Sequence, residues 1–446
     1  MPSTNISLES LTDGETIALS AIEITSVPHA TVIGDEVKPV EEIVSQYKLE
    51  FTGLLNELYQ SYKTMSVSAG ISKDFSFELL WKTTEVKNQP YNAAIRLFII
   101  IRAIDADEQA ASASVESLVK LCVLTLTLQK YEFRYIPYAE LSGEIRKISD
   151  SCVKALVKEE KVENLQNQLL PYCYSYDRIP VSSNDLSRIV NVLIDYPDCA
   201  ISMQLIPTIF ESPESAEIDR VTQMLETLSK GVMDQGVGNI SFALAEKHAM
   251  DYRYYSENKT KPLFIFNILI YGEATASSNI ANRVFGQLSS GIETSASLKL
   301  VDVDRNEVMK DTNFYPLPWA VNEILLNKER NYQIWSSGQF SNALYRLPYI
   351  ITSEEASEFF RLPIGSERIS AGLSINESGK SNRTYATNII NAGDITVGKL
   401  RSSSKEDTIG FSLKDLAKHM LVVGTPGSGK TTFSVSLLDR LWKKYH

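Results

Sequence analysis

Phe75, Phe77, Leu79 and Trp81 alternate with Ser76, Glu78 and Lys82, and Leu80 is the one departure. A period of two predicts a strand with one buried face. Lys87-Asn88-Gln89-Pro90 supplies turn chemistry. Residues 94–104 predict a second strand, apolar from Ile95 to Ile101 except for Arg96. Asp105-Ala106-Asp107 then caps a helix of about 20 residues through Leu118, Val119, Cys122 and Val123. Tyr131, Phe133 and Tyr135 alternate up to Pro137. The order strand–strand–helix–strand predicts a small α/β sandwich with helices on one face.

A charged helical stretch is expected over 140–170. Residues 200–206 read as a strand ended by Pro207. Ser212-Pro213-Glu214-Ser215 opens an amphipathic helix through Ile218, Val221, Met224, Leu225 and Leu228. Helices over 240–254 and 274–288 and strands over 262–271 and 298–303 complete a second unit. Leu97-Phe98-Ile99 and Leu263-Phe264-Ile265 each precede a helix start. An internal duplication and the general similarity of strand–helix units both explain this echo. Thr352-Ser353-Glu354-Glu355 fits a capping box. Residues 366–383 read as a Ser/Gly/Asn-rich loop, and 393–398 with 408–413 as a strand pair.

The expected class is α/β: α+β accessory modules with mixed or antiparallel sheets, a small β-rich collar, then the first strand–P-loop–helix of an incomplete P-loop NTPase domain. The expected divisions are a polar tail over 1–45, with a short strand around 21–24, and α/β modules over 46–195 and 196–345. A linker helix with a small β-unit follows over 346–408, and the start of the ATPase domain over 409–446.

The 446 residues carry 44 basic and 55 acidic side chains, a net charge of −11 that excludes a global basic footprint for nucleic acid. Cys122, Cys152, Cys173 and Cys199 are far apart and form no C-x-x-C pair, which fits a reducing cytosol. The N-terminus lacks the basic and apolar regions of a signal peptide. Apolar runs such as Leu97-Phe98-Ile99-Ile100-Ile101 are soon broken by charge, and a spanning helix needs about 20 apolar residues, so no membrane span is expected.

The motif that carries chemistry is His419-Met420-Leu421-Val422-Val423-Gly424-Thr425-Pro426-Gly427-Ser428-Gly429-Lys430-Thr431-Thr432-Phe433. Gly424-x-x-x-x-Gly429-Lys430-Thr431 matches the phosphate-binding loop pattern. Residues 420–423 are expected as its strand and 431–442 as its helix, with Phe433, Leu437, Leu438 and Leu441 on the buried side. Backbone N–H groups and a helix N-terminus would then converge where a polyphosphate sits. Gly427 and Gly429 let the backbone approach the phosphate, and Pro426 donates no N–H. Lys430 would reach the β/γ-phosphates of ATP, Thr431 would ligate Mg²⁺, and Thr432 would touch the α-phosphate. A Walker B acid and the remaining strands of such a sheet are expected beyond His446, making the chain the N-terminal part of a longer protein. A circularly permuted GTPase-like domain would need guanine-specificity residues, and none is convincingly placed.

The run from His419 to Thr431 resembles the HerA/FtsK superfamily of P-loop motor ATPases, in which a His commonly opens the P-loop strand. Thr352 to Pro363, ending Leu362-Pro363, resembles the segment before the ATPase in HerA-like and conjugation-type members. Pro426 departs from the Thr or Ser more usual there. The resemblance implies a homo-hexameric ring that uses ATP to move DNA or a protein substrate; the cysteine usage and the lack of a signal peptide make the expected location cytoplasmic. The resemblance also implies a catalytic Glu, a Walker B Asp and arginine fingers that lie outside this chain, so no catalytic residue is assigned here. His419 reads as a packing residue, and Lys399 and Arg401 as a solvated face. A second reading is a nucleotide-gated assembly module whose N-terminal units recruit a protein partner such as a nuclease, defence effector or secretion channel.

Overall fold

Residues expected to be a tail carry the first two strands, β1 (Ile6–Ser10) and β2 (Thr16–Pro28), and β2 is almost wholly buried. The computed structural model describes residues 5–10, 15–30, 40–69, 74–87, 89–145, 147–148, 152–165, 170, 172–182, 185–230, 239–289, 298–303, 344, 346–366, 368–369, 371–376, 395–399, 408–411, 422 and 430–445. The structure is mixed α/β with an antiparallel sheet, of the α+β class. It divides into two units, Met1–Ile375 and Asn376–His446.

In the first unit β2 is followed by α1 (Val40–Ala69), β3 (Asp74–Glu85), β4 (Ala93–Asp105), α2 (Glu108–Leu128), β5 (Glu132–Ile136) and α3 (Tyr138–Ile145). Then come β6 (Cys152–Lys158), β7 (Glu160–Asn164), β8 (Tyr172–Tyr176), α4 (Ser187–Leu193) and β9 (Ala200–Thr208). Next are α5 (Ser212–Ser229), α6 (Asn239–Glu257), β10 (Leu263–Gly272), α7 (Ala274–Leu288) and β11 (Leu298–Val303). The short β12 (Ile350–Thr352) and α8 (Ser353–Ala356) follow, and β13 (Ile375–Asn376) ends the series at the boundary of the unit.

An eleven-stranded sheet runs β1-β2-β4-β3-β9-β10-β6-β11 among the described residues, with β5 and β13 also on β2 and β12 on β10. Strands from 46–195 and 196–345 therefore share one sheet. The β3–β9 ladder joins them, with Phe77 opposite Leu205 and Trp81 opposite Ile201. Each pairing whose register is described is antiparallel. The stretch over 346–376, expected as part of a linker, contributes β12 and β13 to this sheet. Among the described residues of the stretch over 140–170, the helix α3 ends at Ile145. Val153, Ala155 and Val157 then alternate on β6 and bury one face. Strand β9 continues through Pro207, opposite Phe264 of β10. The β3 ladder has already ended at Leu205, so the missing N–H interrupts no bond on that side.

On one face Phe75, Phe77, Leu79, Trp81, Ile99, Met203 and Phe266 pack under α1, α2, α4 and α7. The other face holds Leu80, Phe98, Ile100, Ala155 and Leu269, with Leu141 of α3 and Tyr349. A third cluster joins α5 and α6 to the β7–β8 hairpin through Cys173, Ile218, Leu225, Ala249 and Tyr252.

Helix α2 begins where Asp107 accepts from the Gln109 N–H at 3.1 Å. Among the described residues it is long and apolar enough to cross a membrane by length and composition alone. Here Ala111, Val115, Leu118, Val119, Cys122 and Leu126 are buried in the main core. Its outer side carries the Glu116–Lys120 ion pair at 2.9 Å. Burial at about 1.5–3 kcal/mol per large aliphatic side chain fixes it against the sheet.

Candidate functional site

The second unit contains the hairpin β14 (Ile395–Lys399) and β15 (Thr408–Phe411), followed by α9 (Lys430–Tyr445). No Gly or Pro interrupts α9, and Lys443 and Lys444 complement the dipole in its last turn. The Ser434 hydroxyl donates to the Lys430 carbonyl at 3.0 Å, and Lys443 pairs with Asp439 at 2.7 Å. Arg440 donates to the Thr396 carbonyl, tying the helix to the hairpin. Leu437 is buried and Phe433 and Leu441 are half-buried. Leu438, expected inside, is 65 % exposed. It shares the opposite face with Val435 and Trp442, so α9 has two apolar sides.

Of the nine candidate residues, Lys430, Thr431 and Thr432 form the first turn of α9. Lys430 is half-buried, and Thr431 and Thr432 are exposed. Gly424, Thr425, Pro426, Gly427, Ser428 and Gly429 lie outside the described residues, as do His419 and Arg401. The expected strand over 420–423 is described only at Val422. Lys399 stands opposite Thr408 in the hairpin. The first turn of a 16-residue helix offers N–H groups that lack intrahelical acceptors and the positive end of the dipole. An ammonium and two accessible hydroxyls stand in that turn, a donor set that fits a magnesium polyphosphate. Among the described residues no three His, Cys, Asp or Glu side chains group at metal-ligand spacing.

The segment from Thr352 to Pro363 lies in the first unit and is buried. Thr352 and Glu355 form the expected capping box: the Glu355 N–H donates to the Thr352 hydroxyl at 3.3 Å, and Glu355 accepts from the Thr352 N–H at 3.0 Å. The Glu355 carboxylate also accepts from the Ile179 N–H at 2.9 Å and from Lys158 at 3.4 Å. Three residues on, Glu358 pairs with Lys48 and accepts from the Ser182 N–H and hydroxyl at 2.8 and 3.0 Å. Arg361 is 4 % exposed, and burial lowers its guanidinium pKa against the raising charges of Glu358, Tyr131 and Asp185. Burial likewise lowers the Lys48 ammonium, with Glu358 opposing. Sequence reasoning saw the cap but missed Lys48 and Lys158, because the pairs join positions with no local relation.

Two polar patches interrupt the second face of the sheet. In one, Arg102 pairs with Glu78 at 2.7 Å, Gln204 donates to the Ser202 hydroxyl at 3.0 Å, and Asn267 donates to Gln204 at 3.3 Å, across β4, β3, β9 and β10. In the other, Glu23 receives Arg96 and Arg134, each at 2.7 Å from its Nε. Glu144 of α3 receives Lys82 at 2.7 Å, Arg96 at 2.6 Å and Lys147 at 2.8 Å. Burial raises the Glu144 carboxyl, but the hydrogen bonds from Lys147 and Lys82 and the charges of Lys82 and Arg96 outweigh it and bring it down to about 2. No protein-family model matches the chain, and no curated protein does.

Proposed function

We propose that residues 424–432 bind ATP with Mg²⁺ and that they are the phosphate-binding loop of a HerA/FtsK-like motor ATPase, cytoplasmic and hexameric. The observation that carries this reading is that α9 begins on Lys430, directly after the glycine-rich run. In this role Lys430 holds the β/γ-phosphates, Thr431 orients Mg²⁺ and Thr432 contacts the α-phosphate. Bound Mg²⁺ would neutralise phosphate charge. DNA or protein is the translocated substrate on this reading. The test is equilibrium binding of a fluorescent ATP analogue with Mg²⁺. Saturable binding that Lys430→Ala abolishes supports the site, whereas equal binding by the variant refutes it. Mass photometry with ATP tests the ring, and a species that stays monomeric at every concentration counts against it.

The net charge of −11 favours a second role for the first unit, as a surface for a protein partner rather than a track for DNA. On that reading nucleotide gates assembly. A pull-down with and without ATP separates the two, because the gated module captures its partner only in one nucleotide state.

A further inference from the structure

Strands β2 and β4 pair from Thr16–Asp105 to Ile24–Leu97 and then diverge. Residues 372–374 fill the fork: the Val27 N–H donates to the Ser374 carbonyl at 2.8 Å, and the Ile95 N–H to the Gly372 carbonyl at 2.7 Å. Gly372 has φ +76°, and a Cβ there would lie 2.2 Å from Ile194 Cγ2. The floor is therefore stitched to both strands and closed to any larger residue.

A cleft of about 450 Å³ opens at this fork, bordered by Glu23, Tyr91, Arg96, Arg134 and Ser374. That volume falls within the range of small-ligand sites, roughly 300–1,000 Å³. Two guanidiniums and one carboxylate stand among its lining residues, a local excess of one positive charge at the rim before the carboxylates behind it are counted. Glu23 is 7 % exposed and is held by both arginines, whose side chains remain 26 % and 45 % exposed. Each guanidinium carries five N–H donors; Glu23 and Glu144 take three on Arg96, and Glu23 and Glu140 take four on Arg134, so at most two on Arg96 and one on Arg134 are left for an oxyanion. The Arg96 guanidinium also lies over the Phe98 ring at 5.1 Å, which fixes its plane. Glu140 and Glu144 hold the far sides of Arg134 and Arg96.

We propose that this cleft binds a small ligand with an oxyanion head, carboxylate or phosphate, and an aromatic or apolar body. Arg96 and Arg134 receive the head, and Tyr91 is the wall for the body. Its lining residues all belong to the first unit, and none is a candidate residue of the nucleotide loop.

The experiment is calorimetric titration, at low ionic strength, of the full chain carrying Lys430→Ala, so that the loop contributes nothing. The probes are phenyl phosphate, benzoate and inorganic phosphate. Saturable binding of phenyl phosphate or benzoate is expected, and the tighter of the two identifies the head group. Arg134→Gln should weaken it at least about tenfold, the scale of one charge-assisted contact. Tyr91→Ala, which touches no ion pair, should weaken phenyl phosphate while leaving inorganic phosphate unchanged. Absence of saturable binding by all three probes overturns the proposal. So does binding that neither variant alters.

Discussion

Lys48 and Glu358 are 310 positions apart and share one buried ion pair, capped by the Ser182 carbonyl on the lysine and the Ser182 N–H on the carboxylate. The pair ties α1 to the segment that follows α8. Removing one partner leaves the other charge buried alone. Glu358→Ala should therefore destabilise the protein by about 3–5 kcal/mol, read from urea denaturation. The double variant Lys48→Met, Glu358→Leu should lose less than the sum of the single variants. Strict additivity would show that the two residues do not interact energetically.

The cap at Thr352 makes a smaller claim. Its hydroxyl satisfies the Glu355 N–H, so Thr352→Ala should cost about 1 kcal/mol, and Thr352→Ser much less. Equal losses for both would assign the effect to the methyl group rather than the hydroxyl.

Glu144 gives a pH dependence. Its carboxyl falls from the ordinary 4.5 to about 2 in the folded protein. A depressed carboxyl contributes stability above its unfolded value and loses it as pH falls toward the folded value. The stability gap between the parent and Glu144→Gln should thus be full above pH 4.5 and shrink toward pH 2. Denaturation curves in that window measure it, and a constant gap would contradict the ion cluster.

Gly372 is a backbone requirement. Gly372→Ala adds a methyl 2.2 Å from Ile194 Cγ2 at a φ of +76°, and the strain should cost more than about 1 kcal/mol. A melting temperature unchanged from the parent would place the fork elsewhere.

The strands over 74–85 and 93–105 were legible because alternation and apolar runs are local signals. The helix over 274–288 was legible for the same reason. Helix α1 was also written in the chain: Ile43, Val44, Tyr47, Phe51, Leu54, Leu55 and Leu58 recur at helical spacing. It was masked by the polar stretch before it. Strand β2 was largely missed because Ser20, Glu23 and Ser26 dilute its apolar residues. Their burial comes from neighbours on both sides, β4 on one edge and β1 and β5 on the other. The single sheet was illegible, since the ladder of Phe77 with Leu205 leaves no trace in either segment alone. At the nucleotide loop the residue pattern was fully readable, but the two-sided character of α9 emerged only when Leu438 was found on the open face.

The continuous sheet also sets a timetable for synthesis. Lys48 leaves the ribosome 310 residues before Glu358 does, which at about 5–20 residues per second is roughly 15–60 s. Through that interval α1 carries a lysine with no acid to meet it, and β10, once made, waits in its turn for β12. The first unit can close its core only when its last strands emerge, so a nascent chain stalled short of residue 350 would expose the half-built sheet to chaperones and proteases.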